Sequence, residues 1–279
     1  MGVGLMGGSL GLAVRQGGFA RHVVGWGRRE SALQKARELG AIDAFNLDLA
    51  ESLAKADAVV VATPTQFSES LIVEVVGQVS TDTIVTDVAS VKGNLAKALI
   101  AAYGEVPRNV VLAHPICGSE QSGVEAARGD LYQAQKVVLI EDVFTDSINL
   151  DRIQSLWALL GADVRKMTLK QHDSILALTS HLPHILSYAL MNQLGKESDE
   201  CDVFQLSGGG FRDFTRIAAS DPLMWREISL ANKKQLLDAI DGFGAELQAL
   251  KKHIVAGEGD ALELLFSQAK DIRQNKVPK

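Results

Sequence analysis

His114 closes the apolar run VVLAH and is followed at once by Pro115 and the loop PICGSEQSG, which is rich in glycine and hydroxyls. A single histidine in a strand is often a core residue satisfied by backbone. One that opens into such a loop is placed to accept a proton or a hydrogen bond near neutral pH. The chemistry it suits is oxidation of an alcohol, in which a base takes the hydrogen bond of the hydroxyl as hydride leaves the carbon. Ser90 follows the run TIVTDV at the same end of the sheet, and Glu120, in the loop after His114, is placed to tune the histidine or to repel a substrate of the wrong charge. Arg216 comes after the triple glycine Gly208, Gly209, Gly210 and suits a carboxylate, although Asp213, one helical turn earlier, is an alternative partner for it. Asp173, Ala177, Ser180 and His184 fall at i, i+4, i+7 and i+11, so a regular helix puts them on one face among leucines and isoleucines, as a wet or liganded cleft requires.

An oxidation needs an electron acceptor, and the start of the chain has the glycine pattern for one. Gly2, Gly4 and Gly7 fit the spacing G-x-G-x-x-G, in which glycines allow a tight turn and close approach of a pyrophosphate to the first amides of a helix. Leu5 and Met6, between these glycines, and Thr63 and Pro64, which stop the apolar run AVVVAT, complete the expected cofactor contacts. Gly27, Arg28 and Arg29 stand where an NAD enzyme places an acid for the ribose 2′-hydroxyl. An arginine without that acid pairs with a 2′-phosphate, so the expected cofactor is NADP rather than NAD.

These positions need an alternating α/β framework, and the hydropathy pattern supplies one. Buried strands are expected at 22–27, 58–63, 83–88, 110–114, 137–141 and 163–168, with helices at 9–16, 30–39, 66–79, 94–103 and 149–160 between them. Strands separated by helices of this length form a doubly wound parallel sheet of Rossmann type. A dinucleotide fold leads an apolar strand into its first glycine, yet only Met1 precedes Gly2, so the numbered chain reads as truncated at its start. After Thr168 the strand signals stop. The expected division is a dinucleotide-binding domain over 1–167, lacking its usual first strand, and an all-α substrate and dimerisation domain over 168–279.

In the second part, 170–194 reads as one helix kinked at Pro183, 203–219 as a less regular segment, and Asp221 and Pro222 as the start of a helix that nothing but Gly242 and Gly244 breaks before Val255, roughly 50 Å long. Ile240, Phe243, Leu247, Leu250 and Ile254 form a seam of coiled-coil spacing on it, which points to a homodimer. With 47% hydrophobic and 22% charged residues and a net charge of −6, the chain has no basic footprint for nucleic acid or an anionic membrane. The absence of a membrane-length apolar run or a leader pattern points to the cytoplasm. Cys117 and Cys201 are too isolated for a disulfide framework or a metal site.

The stretches GVGLMGGSLG, TDVASVKG, HPICGSEQSG, SHLPH and GGGFRDFTRIA, in this order from Gly2 to about Ala218, resemble the prephenate and arogenate dehydrogenases of tyrosine biosynthesis. The resemblance implies a Rossmann domain followed by a helical domain that dimerises, and an NAD(P)-dependent oxidative decarboxylation of a cyclohexadienol. It also implies roles: His114 accepts the hydrogen bond of the ring hydroxyl with Ser90 as its partner, and Arg216 holds the ring carboxylate. Ser180 and His184 bind the side chain, and Glu120 and Asp213 tune the pocket. In this family NADP use often accompanies arogenate use, so arogenate, alone or with prephenate, is the expected substrate. Two rivals are weaker. Another two-domain β-hydroxyacid dehydrogenase needs a lysine in the helical part where SHLPH has none, and a non-catalytic NADP sensor gives no reason for Ser90, His114 and Arg216 to converge.

Overall fold

The computed structural model describes residues 1–118, 121–197 and 204–277. Glu120 and Cys201, and the Val203 start of the irregular segment, lie outside these described residues. The chain forms two compact units, Met1–Lys233 and Lys234–Lys279.

The first unit begins with α1 (Leu5–Gln16), β1 (Val24–Trp26), α2 (Glu30–Glu38), β2 (Ala44–Asn46), α3 (Leu49–Leu53), β3 (Ala58–Val61) and α4 (Thr65–Gln78). It continues through β4 (Ile84–Asp87), α5 (Gly93–Tyr103), β5 (Val110–Val111), β6 (Ala113–Ile116), β7 (Lys136–Ile140), α6 (Ser147–Leu159) and β8 (Asp163–Met167). β1 pairs in parallel with β2, and β3, β4 and β5 pair in parallel in that order. β4 is buried throughout and its side chains alternate between two cores: Val85 joins Ile72 and Val75 of α4 and Leu95 and Leu99 of α5, whereas Ile84 joins Leu10 and Val14 of α1 and Ile153 and Trp157 of α6. Helices on both faces of near-continuously apolar strands define the doubly wound Rossmann-like class.

Two features differ from one uninterrupted parallel sheet. Between β1 and β3 lie Met1 and Gly2: the Met1 amine donates to Val60 O (2.8 Å), Ala62 N to Met1 O (2.8 Å) and Gly2 N to Trp26 O (2.8 Å). Two residues thus occupy the central position of the sheet, too few to count as a strand, and the hydrogen-bonded ladder divides there. β6 and β7 are antiparallel, with His114 opposite Val138, while β7 and β8 are parallel. Among the described residues, the segment joining β6 to β7 holds a single 3₁₀ turn (Val124–Ala126) instead of a crossover helix, and the chain returns in the opposite direction.

The helical elements that follow are α7 (Leu169–Leu176), α8 (Leu182–Glu197), α9 (Gly209–Thr215), α10 (Pro222–Ala231), α11 (Lys233–Ala256) and α12 (Gly259–Lys276). Thr168 and Gln171 form a capping box on α7, and Asp221 caps α10 through Met224 N (2.7 Å) with Pro222 in the first turn. The kink expected at Pro183 takes the form of a π-helical turn, Ala177–His181, between α7 and α8. Pro183 has no N–H for the carbonyl four residues back, and a wider turn relieves that mismatch. The long helix expected from Pro222 to Val255 is broken at Asn232, which leaves helical geometry (φ −103°, ψ 31°) because its buried amide is engaged elsewhere: Nδ2 donates to Asp173 O (2.8 Å). Among the described residues no helix is long and apolar enough to cross a membrane.

Candidate active site

The cofactor positions come first. Gly2 has φ +81°, and a Cβ on Gly7 would stand 2.1 Å from the Gly2 carbonyl oxygen, so the turn closes only with glycine at both places. Gly4 is the N-cap of α1, has no side-chain cap and has open space around it, which leaves the first amides of α1, from Leu5 and Met6 onward, for an anionic ligand. Such a turn, with an uncapped helix start behind it, fits the pyrophosphate of a dinucleotide. Thr63 borders the turn, since a Cβ on Gly2 would meet its Cγ2 at 2.9 Å, and Pro64 is the N-cap of α4. Ser68 Oγ donates to Thr63 O (2.9 Å) and fixes that corner. The Arg28 guanidinium lies over the Phe67 ring at 4.1 Å, so the arginine is held beside the Thr63–Pro64 corner, while Arg29 is the N-cap residue of α2. A Cβ on Gly27 would meet only Leu33 Cδ2 at 3.6 Å, ordinary contact. Packing therefore does not forbid an acid there.

His114 is buried at the end of the run that continues β5, and its Nδ1 lies 2.9 Å from His172 Nε2. His172 Nδ1 in turn lies 2.7 Å from Asp173 Oδ1. The amides of Lys92 (3.1 Å) and Gly93 (2.8 Å), at the start of α5, donate to the same carboxylate. Behind this row sits a fully buried ion pair of Lys92 Nζ and Asp87. Lys92 Nζ also donates to Ala113 O (2.7 Å), and Asp87 accepts the amides of Ala89 (2.9 Å) and Ala113 (3.1 Å). The pair thereby ties the end of β4 and the start of α5 to the backbone that presents His114. Ser90 lies half-buried in the turn between β4 and α5 and makes no hydrogen bond to His114 among the described residues; the ring partner of His114 is His172.

Burial pushes His114 well below the ordinary histidine value, and the neighbouring His172 and Lys92 charges push it the same way. His172 is lowered by burial, partly offset by its hydrogen bond to Asp173. Burial alone would raise Asp173, but the hydrogen bonds from His172, Lys92 and Gly93 overcome it and hold the carboxyl below its ordinary value. The site is therefore a neutral histidine row ending on an ionised carboxylate.

The stripe expected on one helical face is displaced. The π turn inserts a residue between Asp173 and the positions beyond it, and it is His181 that reaches the surroundings of Asp173: its Nδ1 lies 3.1 Å from the same Asn232 amide that donates to Asp173 O. Burial pushes His181 down to about 4. Ser180 sits in the π turn half-buried, with its carbonyl accepting from His184 Nδ1 (2.8 Å). His184 stacks on Trp225 of α10 with ring centroids 3.5 Å apart. Arg216, at the end of α9, lies near enough to disfavour the His184 cation, beyond the larger effect of burial. Asp213 is exposed on α9. α8, which carries His184, thus packs against the 3₁₀ turn that opens at Arg216, while His114 sits in the buried row with His172 and Asp173.

Sequence reasoning missed His172, His181, Asn232, Trp225 and the Asp87–Lys92 pair. The indole Nε1 of Trp225 is buried without a hydrogen-bond partner among the described residues. Asp87 and Lys92 both stand in TDVASVKG, and a lysine at the end of an apolar run is the one signal that pointed to a buried pair.

The chain matches two family models, "Prephenate dehydrogenase, nucleotide-binding domain" over residues 10–166 and "Prephenate dehydrogenase, dimerization domain" over 168–268. A cyclohexadienyl dehydrogenase of Zymomonas mobilis is 30% identical over 98% of this chain and 93% of its own. Among solved structures, prephenate dehydrogenase from A. aeolicus, in complex with hydroxyphenyl propionate and NAD+, superposes with a TM-score of 0.91 at 36% identity, over 98% of this chain and 95% of that one. Synechocystis arogenate dehydrogenase superposes with a TM-score of 0.85 at 28% identity, over 99% and 98%.

Proposed function

The chain belongs to the prephenate dehydrogenase family, and from that premise we propose that it uses NADP to oxidise and decarboxylate arogenate, prephenate or both, in the cytoplasm, as a step of tyrosine biosynthesis. One observation carries the reading: His114 is buried, kept neutral and fixed near the start of β6, just beyond the parallel ladder of β3, β4 and β5, as the acceptor for a ring hydroxyl must be. The bound nicotinamide supplies the hydride acceptor. Gly2, Gly4, Leu5, Met6 and Gly7 hold the pyrophosphate, and Thr63 and Pro64 border it. Arg216 takes the ring carboxylate, Ser180 and His184 the side chain, Asp213 tunes the charge beside them, and Ser90 stands in the turn next to His114. Aromatisation of the ring makes the loss of carbon dioxide favourable. We place the functional boundary at residue 168, where the capping box opens α7: 1–167 bind the dinucleotide, 168–279 the substrate and the second subunit.

Steady-state kinetics with arogenate and prephenate, each with NAD and NADP, test the reading; no turnover with any of the four pairs would sink it. Arg28 and the vacant Gly27 position support NADP, since space for an acid exists and the acid is missing. Arg28→Ala is expected to raise KM for NADP about tenfold and leave that for NAD within about twofold, the worth of one charge-assisted contact. Equal effects on both cofactors would remove Arg28 from the 2′-phosphate.

The second unit supports a homodimer. Leu247 and Ile254 of the α11 seam and Leu264, Phe266 and Ile272 of α12 are exposed apolar side chains. Sedimentation at micromolar concentration should give twice the monomer mass, and Leu247→Glu with Ile254→Glu should shift it toward the monomer. A monomeric wild-type chain would refute the dimer.

A further inference from the structure

The orientation of each hydrogen bond in the His114 row follows from its far end. Asp173 receives two backbone amides of α5, which can only donate, and its carboxyl is ionised, so it can only accept from His172. His172 Nδ1, 2.7 Å away, must therefore carry a hydrogen. A neutral His172 then has a bare Nε2, and this atom lies 2.9 Å from His114 Nδ1. Two bare nitrogens do not approach so closely in a buried site, so His114 Nδ1 carries the hydrogen and donates it. Protonating both rings would place two cations side by side next to Lys92, inside the protein.

We infer that His172 and Asp173 are positioning residues that lock His114 as the tautomer with Nδ1 protonated and Nε2 bare, so that Nε2 accepts from the ring hydroxyl. The inference rests on the reading of His114 as that acceptor. A free neutral histidine favours the opposite tautomer, which would present a donor where an acceptor is needed. The same row offers the proton a better resting place. When the hydroxyl O–H bond breaks, its proton binds His114 Nε2 and the Nδ1 proton passes to His172 Nε2, leaving an imidazolium bonded to Asp173 and a neutral His114. Both transfers reverse when the oxygen regains its proton in the phenol. The charged and titratable groups facing the two rings favour this direction. Asp173 of α7, and Asp87 beyond it, stabilise a cation on His172; Lys92, from the β4–α5 turn, disfavours one on either ring, and His114, which His181 of the π turn also disfavours as a cation, has no such carboxylate to offset it.

Long-range proton–nitrogen spectra of protein labelled with ¹⁵N-histidine read the tautomer without turnover. His114 in the wild type should appear as a single neutral form with Nδ1 protonated; an Nε2–H form, or a mixture, would overturn the inference. H172L should lower kcat about 100-fold, within the range for a mispositioned base, and change KM for the ring substrate by less than about twofold. H172Q, whose amide oxygen can accept from His114 and whose NH₂ can donate to Asp173, should recover at least about tenfold of that loss. An unchanged kcat in H172L, or an H172Q no better than H172L, would also overturn it. Should H172L fail to fold, the wild-type spectrum and H172Q against wild type decide, with H172Q expected within about tenfold of wild-type kcat. A wild type that turns over none of the four substrate and cofactor pairs refutes the proposed function, yet leaves the tautomer measurement standing.

Discussion

His114→Asn is expected to lower kcat about 1,000-fold and to leave KM for the ring substrate within about twofold, the signature of an interaction that strengthens only as hydride leaves. An asparagine amide keeps polarity at the site but has no nitrogen lone pair to accept a proton. The residues proposed to bind substrate, Arg216 and His184, belong to the helical elements and are untouched by the change. The pH dependence supplies a second readout. The form of His114 that can accept is neutral, and burial holds its pKa well below the ordinary histidine value, so it protonates at lower pH than an exposed histidine does. The acid limb of kcat/KM should therefore stay flat as pH falls through the range in which an exposed histidine would already have lost activity. A limb at the ordinary histidine value, or a raised KM with unchanged kcat, would show that His114 does not act as the acceptor.

The fold and its glycine turn were legible because they depend on local pattern. Glycine spacing, β-branched runs closed by Pro64, and Asp221 before Pro222 each state their structure within a few residues. What the pattern could not show depended on partners far along the chain. Asn232 looks like any polar residue within a helical period until its amide is seen to be taken by Asp173, and only then does the helix have a reason to break. The face shared by Asp173, Ser180 and His184 assumed a constant period, and the π turn before Pro183 changed it by one residue, bringing His181 into play. His172 was hidden for the same reason: its role comes from His114, which precedes it by 58 positions and is buried against it. The antiparallel β6–β7 pair was missed because strand runs announce their burial, not their direction. His114 and Arg216 were visible as chemistry at element ends, whereas the groups that support His114 were visible only as contacts.

Lys92→Met should destabilise the fold by about 3–5 kcal/mol, the cost of leaving a buried carboxylate without its counter-charge. Asp87 is fully buried and among the described residues would retain the Ala89 and Ala113 amides alone, while the Ala113 carbonyl would lose the Lys92 donor. Methionine matches the lysine stem in length, so the loss would not reflect a cavity. Adding Asp87→Asn removes the stranded charge and keeps an acceptor for one amide, so the double variant should recover more than half of the lost stability in urea unfolding. A loss below about 1 kcal/mol in the single variant, or no recovery in the double, would show that the pair carries little of the fold at this place. The pair also acts on His114 through space, since its lysine charge lowers the histidine further once burial has acted. In folded Lys92→Met that contribution is gone, so His114 protonates more readily and the acid limb of kcat/KM should move to higher pH; an unmoved limb would leave Lys92 as a brace alone. The buried pair then serves two ends with one arrangement: it fastens β4, α5 and β6 around the site, and it helps keep His114, the proposed acceptor, neutral.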